Sequence, residues 1–342
     1  MATQDFSKLY YRTANCLTSD IIADFSPVSR VLGADTSTGM GVVFTAMGTR
    51  FDMQYVAKEA FMATDSYESD TRSIDDTPVA EVMRYVRNEI IAGGHVPEAY
   101  QELTEKIRKG ESVYAQYRVF KTGCVGSDVL FLISPAAEDA AKTAENFMGF
   151  SKKLGKSCFC TNEYQDCGYL LLQLGQTDAA NAQAEAMKGT LENYREIVTD
   201  DSYVLDALLI QFPELSEKIR FIDAFIYEGK EAVKQVKEDI VLHESGIIQR
   251  LYPSRRVDYQ KLFADANVIL PKRSGFDVTD SGLAGGLGLY EPKNLTAISG
   301  RRMADLARPE HDVIMTPCAC EAAGLNCAEK EKVVTLLDYI CK

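Results

Sequence analysis

The amino-acid sequence predicts an α/β protein in which a mainly helical N-terminal region is followed by two duplicated α/β lobes. Two features lead there: a change of grammar near residue 129 and an internal repeat in the remainder of the chain. Residues 1–115 read as helices joined by irregular connections. The clearest helix begins at Thr77-Pro78, a polar cap followed by proline at the first helical position. It carries Val79, Val82, Met83, Val86 and Ile90 on one stripe and stops at Gly93-Gly94. Such a helix packs on one side.

From residue 129 onward, short apolar runs alternate with capped helices. Val129-Leu130-Phe131-Leu132-Ile133 has the length and composition of a buried strand, Ser134-Pro135 reads as cap and first helical position, and residues 136–154 read as a helix ended by Gly155. Strand, turn and helix in that order imply an α/β unit. The repeat then sets the number of lobes. Ile197-Val198-Thr199-Asp200-Asp201 has a counterpart in Ile314-Met315-Thr316-Pro317-Cys318, and Asp166-Cys167-Gly168 has one in Asp280-Ser281-Gly282. The two offsets nearly agree, which suggests duplication. The predicted divisions are residues 1–115, 116–235 and 236–342, with the lobes split near Gln235.

Composition narrows the partners. With 342 residues the chain can bury two or three cores, and 37 basic against 50 acidic side chains give a net charge of -13, which repels both a phosphate backbone and an anionic lipid surface. No nucleic-acid partner is expected. Arg250, Arg255-Arg256 and Lys272-Arg273 are read as solvated faces or subunit contacts. No apolar run approaches 18 residues, and the first residues lack the basic and apolar regions of a signal peptide, so no membrane span and a cytoplasmic location are expected. Nine cysteines, an odd count without secretion signals, point to free thiols or metal ligands rather than a disulfide framework.

Several loops hold acidic or hydroxyl residues where their surroundings call for thiols. Asp280-Ser281-Gly282-Leu283-Ala284-Gly285-Gly286 looks like a Cys-Cys-Gly-x-x-Gly-Gly box, and Cys16, Ser19, Ile22, Ser26 and Pro27 have the spacing of a ferredoxin cluster run. This order resembles the heterodisulfide reductase family and, more broadly, the cysteine-rich-domain proteins that include the iron-sulfur subunits of glycerol-3-phosphate dehydrogenase and glycolate oxidase. The resemblance covers nearly the whole chain and implies a degenerate two-cluster ferredoxin-like helical domain before two CCG-like lobes.

On that resemblance a second ferredoxin run falls on Ala60, Ala63, Ser66 and Asp70, followed by the family's Arg-bearing helix, with Arg84 and Arg87 here. A cubane cluster needs four converging thiolates, and seven of the eight implied ligands are absent. In the first lobe, Thr122-Gly123-Cys124, Asp166-Cys167-Gly168 and Asp201-x2-Val204 stand at the family's motifs. In the second lobe they are His243-Glu244-Ser245-Gly246, Asp280-Ser281-Gly282 and Cys318-x2-Glu321. The resemblance thus implies a cluster-poor, non-catalytic paralogue with no cofactor of its own, serving as a structural subunit of an electron-transfer complex. Its partners would be subunits carrying flavin, iron-sulfur clusters or both. The alternative is an active iron-sulfur oxidoreductase of disulfide-reductase type, its ligands drawn from Cys124, Cys158, Cys160, Cys167, Cys318, Cys320 and Cys327.

Other residues leave two readings open. Cys158-x-Cys160 with Cys167, and Cys318-x-Cys320 with Cys327, have the close spacing of metal knuckles or of a thiol-based sensor, and equally suit packed free thiols. His243 follows the apolar run Ile240-Val241-Leu242, where α/β lobes place ligands, and is either functional or a hydrogen-bonded structural side chain. Gly282, Gly285, Gly286 and Gly288 lack the spacing of a dinucleotide loop and suit positive-φ turns. Asp166, Asp201, Asp280 and Glu321 either gather a hard cation or satisfy loop amides once bonded to cluster sulfur.

Overall fold

The computed structural model describes residues 27–342 except 34–37, 51, 65, 66, 68, 71–77, 329 and 330. The first ferredoxin-like run, Cys16 to Ser26, lies outside the described residues, as does Ser66 of the second. The chain is mixed α/β, with two separate sheets and helices around them.

In the first sheet, β1 (Lys121–Gly123), β2 (Val129–Leu132), β3 (Cys158–Thr161), β4 (Glu196–Thr199) and β5 (Ile219–Phe221) lie in the order β1-β3-β2-β4-β5. All neighbours run parallel except β1, which is antiparallel to β3. The second sheet orders β6 (Asp239–Leu242), β7 (Asn267–Ile269), β8 (Val313–Thr316) and β9 (Val333–Thr335) as β7-β6-β8-β9, all parallel. With β1 set aside, each sheet places its second strand outside the first and its third and fourth on the other side. Registers match too: Phe131 lies opposite Cys160 and Val198, and Val241 opposite Ile269 and Ile314. Strand β2 is buried at all four residues, as a strand covered by helices on both faces requires.

The N-terminal helices are α1 (Pro27–Leu32), α2 (Gly39–Gly48), α3 (Met53–Met62), α4 (Val79–Ala92) and α5 (Glu98–Arg108). In the first lobe, α6 (Ala140–Lys153) follows β2, α7 (Tyr169–Gln173) and α8 (Thr177–Glu192) follow β3, α9 (Ser202–Gln211) follows β4, and α10 (Ile222–Glu228) follows β5. In the second, α11 (Gly246–Leu251) and α12 (Tyr259–Leu262) separate β6 from β7, while α13 (Pro292–Leu306), α14 (Ala319–Asn326) and α15 (Leu336–Ile340) flank β8 and β9. The larger apolar core runs from Met40 to Tyr339, and a smaller one in the second lobe gathers Val241, Met303, Leu306, Ile314, Ala322, Leu325 and Val333.

The predicted stripe of α4 is buried at all five positions, although Pro78 sits just before the helix rather than in its first turn. The start of α6 is a correction: the helix begins at Ala140 with Asp139 as its cap, not at residue 136. Ser134 caps only a turn: its hydroxyl accepts the Ala136 amide at 3.1 Å while donating to Asp201 Oδ2 at 2.6 Å, and its own amide donates to Asp200 Oδ1 at 2.7 Å.

Two buried arginine-centred joints tie the helical layer to the lobes. Arg87 donates from Nε to Ala60 O (2.9 Å), from Nη2 to Ala63 O (2.8 Å) and from Nη1 to Gln173 O (3.1 Å), closing the buried carboxyl end of α3 onto α7. Arg84 donates to the Tyr67 hydroxyl, which donates to Asp206 Oδ2 at 2.8 Å, while Tyr252 donates to Oδ1 of the same carboxylate at 2.7 Å. Asp206 therefore joins all three parts of the chain. Of the basic clusters, Arg256 and Lys272 are exposed as expected, whereas Arg250 and Arg255 turn inward. Arg250 is buried and donates to Val278 O, and Arg255 spans the lobes to Ile219 O and Ser216 O, at 2.6 and 2.9 Å. Their partners are backbone carbonyls distant in sequence, so charge spacing gave no sign of them. Among the described residues no helix is long and apolar enough to cross a membrane.

Removing the Asp206 carboxylate strands two phenols and a buried guanidinium. Asp206→Ala is expected to cost about 3 kcal/mol, against about 1 kcal/mol for Tyr252→Phe. The urea midpoints of the two variants, at unchanged m-value, check the ranking.

Candidate functional site: the facing strand ends of the two sheets

In parallel α/β sheets the loops beyond the carboxyl ends of the strands form the crevice where ligands sit. Here the loop after β4 and the loop after β8 lie against each other. The Ala319 amide donates to Asp200 O at 2.8 Å, and Ser202 approaches Cys318 Sγ with its amide at 3.5 Å and its hydroxyl at 3.4 Å. Asp201 and Cys318, paired by the repeat, occupy the same station, since each is the cap of the helix that follows the third strand. Asp201 accepts from the Tyr203 amide at 2.9 Å, whereas Cys318 makes no side-chain cap bond.

Glu321, in the first turn of α14, is the hub of the seam. Its Oε2 lies 2.9 Å from His243 Nε2 and accepts the Ser281 amide at 2.7 Å, and its Oε1 accepts the Tyr203 hydroxyl at 2.6 Å. On the far side of the imidazole, Arg302 Nε and Nη2 point at His243 Nδ1 from 3.3 and 3.2 Å. A guanidinium cannot accept, so Nδ1 is the acceptor and the ring proton sits on Nε2, donating to Glu321. His243, Arg302 and Glu321 are all at most 1% exposed. The histidine is a hydrogen-bonded connector between a cation and an anion.

The remaining carboxylates bond loop amides in a repeated pattern. Asp166 accepts from Gly168 N (3.0 Å) and Leu170 N (3.1 Å), and Asp280 accepts from Gly282 N at 2.7 Å. The two glycines have φ of 84° and 87°, so the equivalent loops of the two lobes share one turn. Gly285 and Gly286, at φ 64° and 117°, kink the segment Ala284–Tyr290, and a Cβ at Gly285 would stand 2.4 Å from Tyr169 Cε1. This loop is shaped to pack on Tyr169 and not to receive a phosphate.

Burial governs the charges. It raises Asp200 to about 8 despite the Ser134 amide bond, and Asp201 to about 6. Glu321 goes the other way: burial pushes it up, but the bonds from His243, Tyr203 and the Ser281 amide outweigh that and hold it below the usual carboxylate range. Burial lowers His243, with the Arg302 charge adding to the effect, and lowers Arg302 to about 10. A neutral imidazole between guanidinium and carboxylate satisfies all three groups.

The seven candidate cysteines are not brought together as one ligand set. Cys124 and Cys327 are exposed; Cys158 and Cys160 share a face of β3, one thiol bonded to the other, which lowers Cys158 and raises Cys160. Cys167, Cys318 and Cys320 are buried, and burial followed by the field of nearby acids raises each well above the usual thiol range. Among the described residues no three His, Cys, Asp or Glu side chains are placed to share a metal ion. A four- or five-thiolate cluster therefore does not fit these donors. Sequence spacing located Asp166, Asp201, Asp280, Glu321 and His243, but missed Tyr203, Ser134 and Arg302. Nothing local to Gly300-Arg301-Arg302 distinguishes the buried arginine from its exposed neighbour. Tyr203 was the findable one, two residues beyond Asp201.

The raised Asp200 fixes a sign. A carboxyl whose folded pKa exceeds its unfolded value contributes stability fully present below about pH 4, and that contribution is lost as pH rises through about 8. Asp200→Asn keeps an oxygen for the Ser134 amide and removes the ionisation. The variant is expected to melt several degrees above the parent at pH 9 and to converge with it near pH 4, measured by circular dichroism melts across that range. A constant gap at every pH would contradict the assignment.

Comparison with family models, curated proteins and solved structures finds nothing that matches this chain.

Proposed function

We propose that this chain is a cluster-free paralogue of a heterodisulfide reductase-like subunit, two duplicated CCG-like lobes behind a degenerate ferredoxin-like helical layer, acting as a structural subunit of a cytoplasmic electron-transfer complex. The observation that carries this reading is how former ligand positions are filled. Asp166, Asp201, Asp280 and Glu321 each accept a backbone amide of a loop or of a helix's first turn, at 2.7 to 3.1 Å. Amides around an iron-sulfur cluster donate to sulfur; once the cluster is lost, each becomes an orphan donor costing about 1–3 kcal/mol unless an acceptor replaces it. For Gly168, Tyr203 and Gly282 that acceptor is the carboxylate two residues before, and for Ser281 it is Glu321, reaching in from α14. The common strand order of the two sheets supports the duplicated lobes.

In such a complex the chain's contribution is shape. Electron transfer between other subunits needs fixed distances between their flavin or iron-sulfur groups, and a rigid, pseudo-symmetric body holds them there. The seam described above supplies rigidity, since each lobe's strand-end loops are hydrogen-bonded to the other's.

The purified chain, prepared without oxygen and with iron and sulfide supplied, is expected to carry less than about 0.1 iron per chain and no absorbance near 400 nm. Iron and acid-labile sulfide near four per chain would overturn the reading, as would a cluster-type paramagnetic signal on reduction. Affinity purification of the full chain from native extract is expected to bring down flavin- or cluster-bearing subunits, and its recovery alone at full yield would count against the assembly role.

A further inference from the structure

Where strands of both sheets end, a small pocket lies between the lobes, with about 10 Å³ of free space, room for a single water-sized body. Asp223, just beyond β5, lines it from the first lobe, and Glu244 and Ser245, just beyond β6, line it from the second together with Arg256 and Tyr259. This is the crevice position at which parallel α/β sheets hold ligands. The pocket shares no residue with the Glu321 hub, and it stands whether or not the chain is cluster-free.

One buried oxygen there lacks a partner. Asp223 is 2% exposed; its Oδ2 accepts the Tyr259 hydroxyl at 2.6 Å, whereas its Oδ1 has no hydrogen-bond partner among the described residues. Such an atom bears its desolvation cost uncompensated, and burial pushes this carboxyl up to about 6. Glu244 is bonded at both oxygens, by the Gln249 carboxamide at 2.8 Å and by the Gly275 amide, yet each oxygen keeps a second lone pair. The Arg256 guanidinium spends Nη2 on Gln249 O.

Charge, size and donor type select the occupant. Two carboxyls against one guanidinium leave the lining with an excess of one negative charge, which a monovalent cation cancels and a divalent cation overshoots. Potassium matches the size of water, whereas sodium, magnesium and calcium are smaller. The acceptor atoms of the lining side chains, carboxylate, carboxamide and hydroxyl, are all oxygen, which suits hard cations and not thiophilic metals. Among the described residues no three acids, thiols or imidazoles converge, and potassium needs no such set, since neutral oxygens serve it.

We propose that the pocket between Asp223 and Glu244 is a monovalent-cation site selective for potassium, with Asp223 Oδ1 as its charged ligand. The ion fastens the end of β5 to the end of β6 across the seam.

Melts of the full chain at about pH 8 in about 100 mM potassium, sodium or choline chloride test it, because an ion held only by the folded state raises Tm. The Tm is expected to stand about 3 °C higher in potassium than in the other two salts. Asp223→Asn keeps an acceptor for Tyr259 and removes the charge, so it should melt alike in all three. Glu244→Gln, which retains an oxygen for the Gly275 amide, should at least halve the potassium increment and serves as the test if Asp223→Asn does not fold. Binding is read separately by equilibrium dialysis with radioactive rubidium, a potassium analogue. One ion per chain is expected, displaced by potassium and not by sodium, and lost in Asp223→Asn. Equal Tm in the three salts, no saturable rubidium binding, displacement by sodium as readily as by potassium, or rubidium retained by Asp223→Asn would each overturn the proposal.

Discussion

The carboxylate of Glu321 holds the architecture together, because it accepts from three different segments at once. Tyr203 reaches it from the first lobe, His243 from the strand end of the second, and the Ser281 amide from the glycine-rich loop. A buried anion with three donors and a guanidinium one imidazole away is satisfied; with any of these missing it would carry an uncompensated desolvation cost. The rest of the seam follows from the same accounting. Each loop amide facing the crevice needs an acceptor, and Asp166, Asp201 and Asp280 are those acceptors. The crevice where α/β proteins hold ligands is here closed by the protein's own polar side chains.

This arrangement divides the acids into two kinds. Three donors keep Glu321 charged, whereas burial pushes Asp200 and Asp201 upward, with the charge of Asp201 adding to the effect on Asp200 and that of Glu321 to the effect on Asp201. The same low-dielectric setting keeps Cys167, Cys318 and Cys320 as thiols. Thiolate chemistry needs cations or donors beside the sulfur, and at this seam the neighbours of the sulfurs are mainly acids.

Much of the fold was legible because its signals are local. The strand Val129–Leu132, the stripe of α4 and the paired Asp-x-Gly turns are set by residues a few positions apart, and they stand where patterning put them. What the pattern hid depends on partners far along the chain. Ser134 caps a turn rather than the helix, and Asp200 and Asp201, more than sixty residues on, hold its amide and hydroxyl hydrogens. Arg250 and Arg255 looked like surface charge because the carbonyls they reach belong to other segments. At the candidate site, spacing located the acids and His243, but the tyrosine and arginine that set their charge states are specified only by tertiary contact.

The Arg87 joint carries a consequence for the chain's modularity. Its guanidinium seals carbonyls from α3 and from the end of α7 together, and α7 is itself buried at every residue beneath the helical layer. The linear divisions of the sequence are therefore not lines of cleavage. Trimming the amino-terminal third would bare Leu170 and Leu171 and leave unsealed backbone, so the lobes inherit their solubility from the layer that covers them.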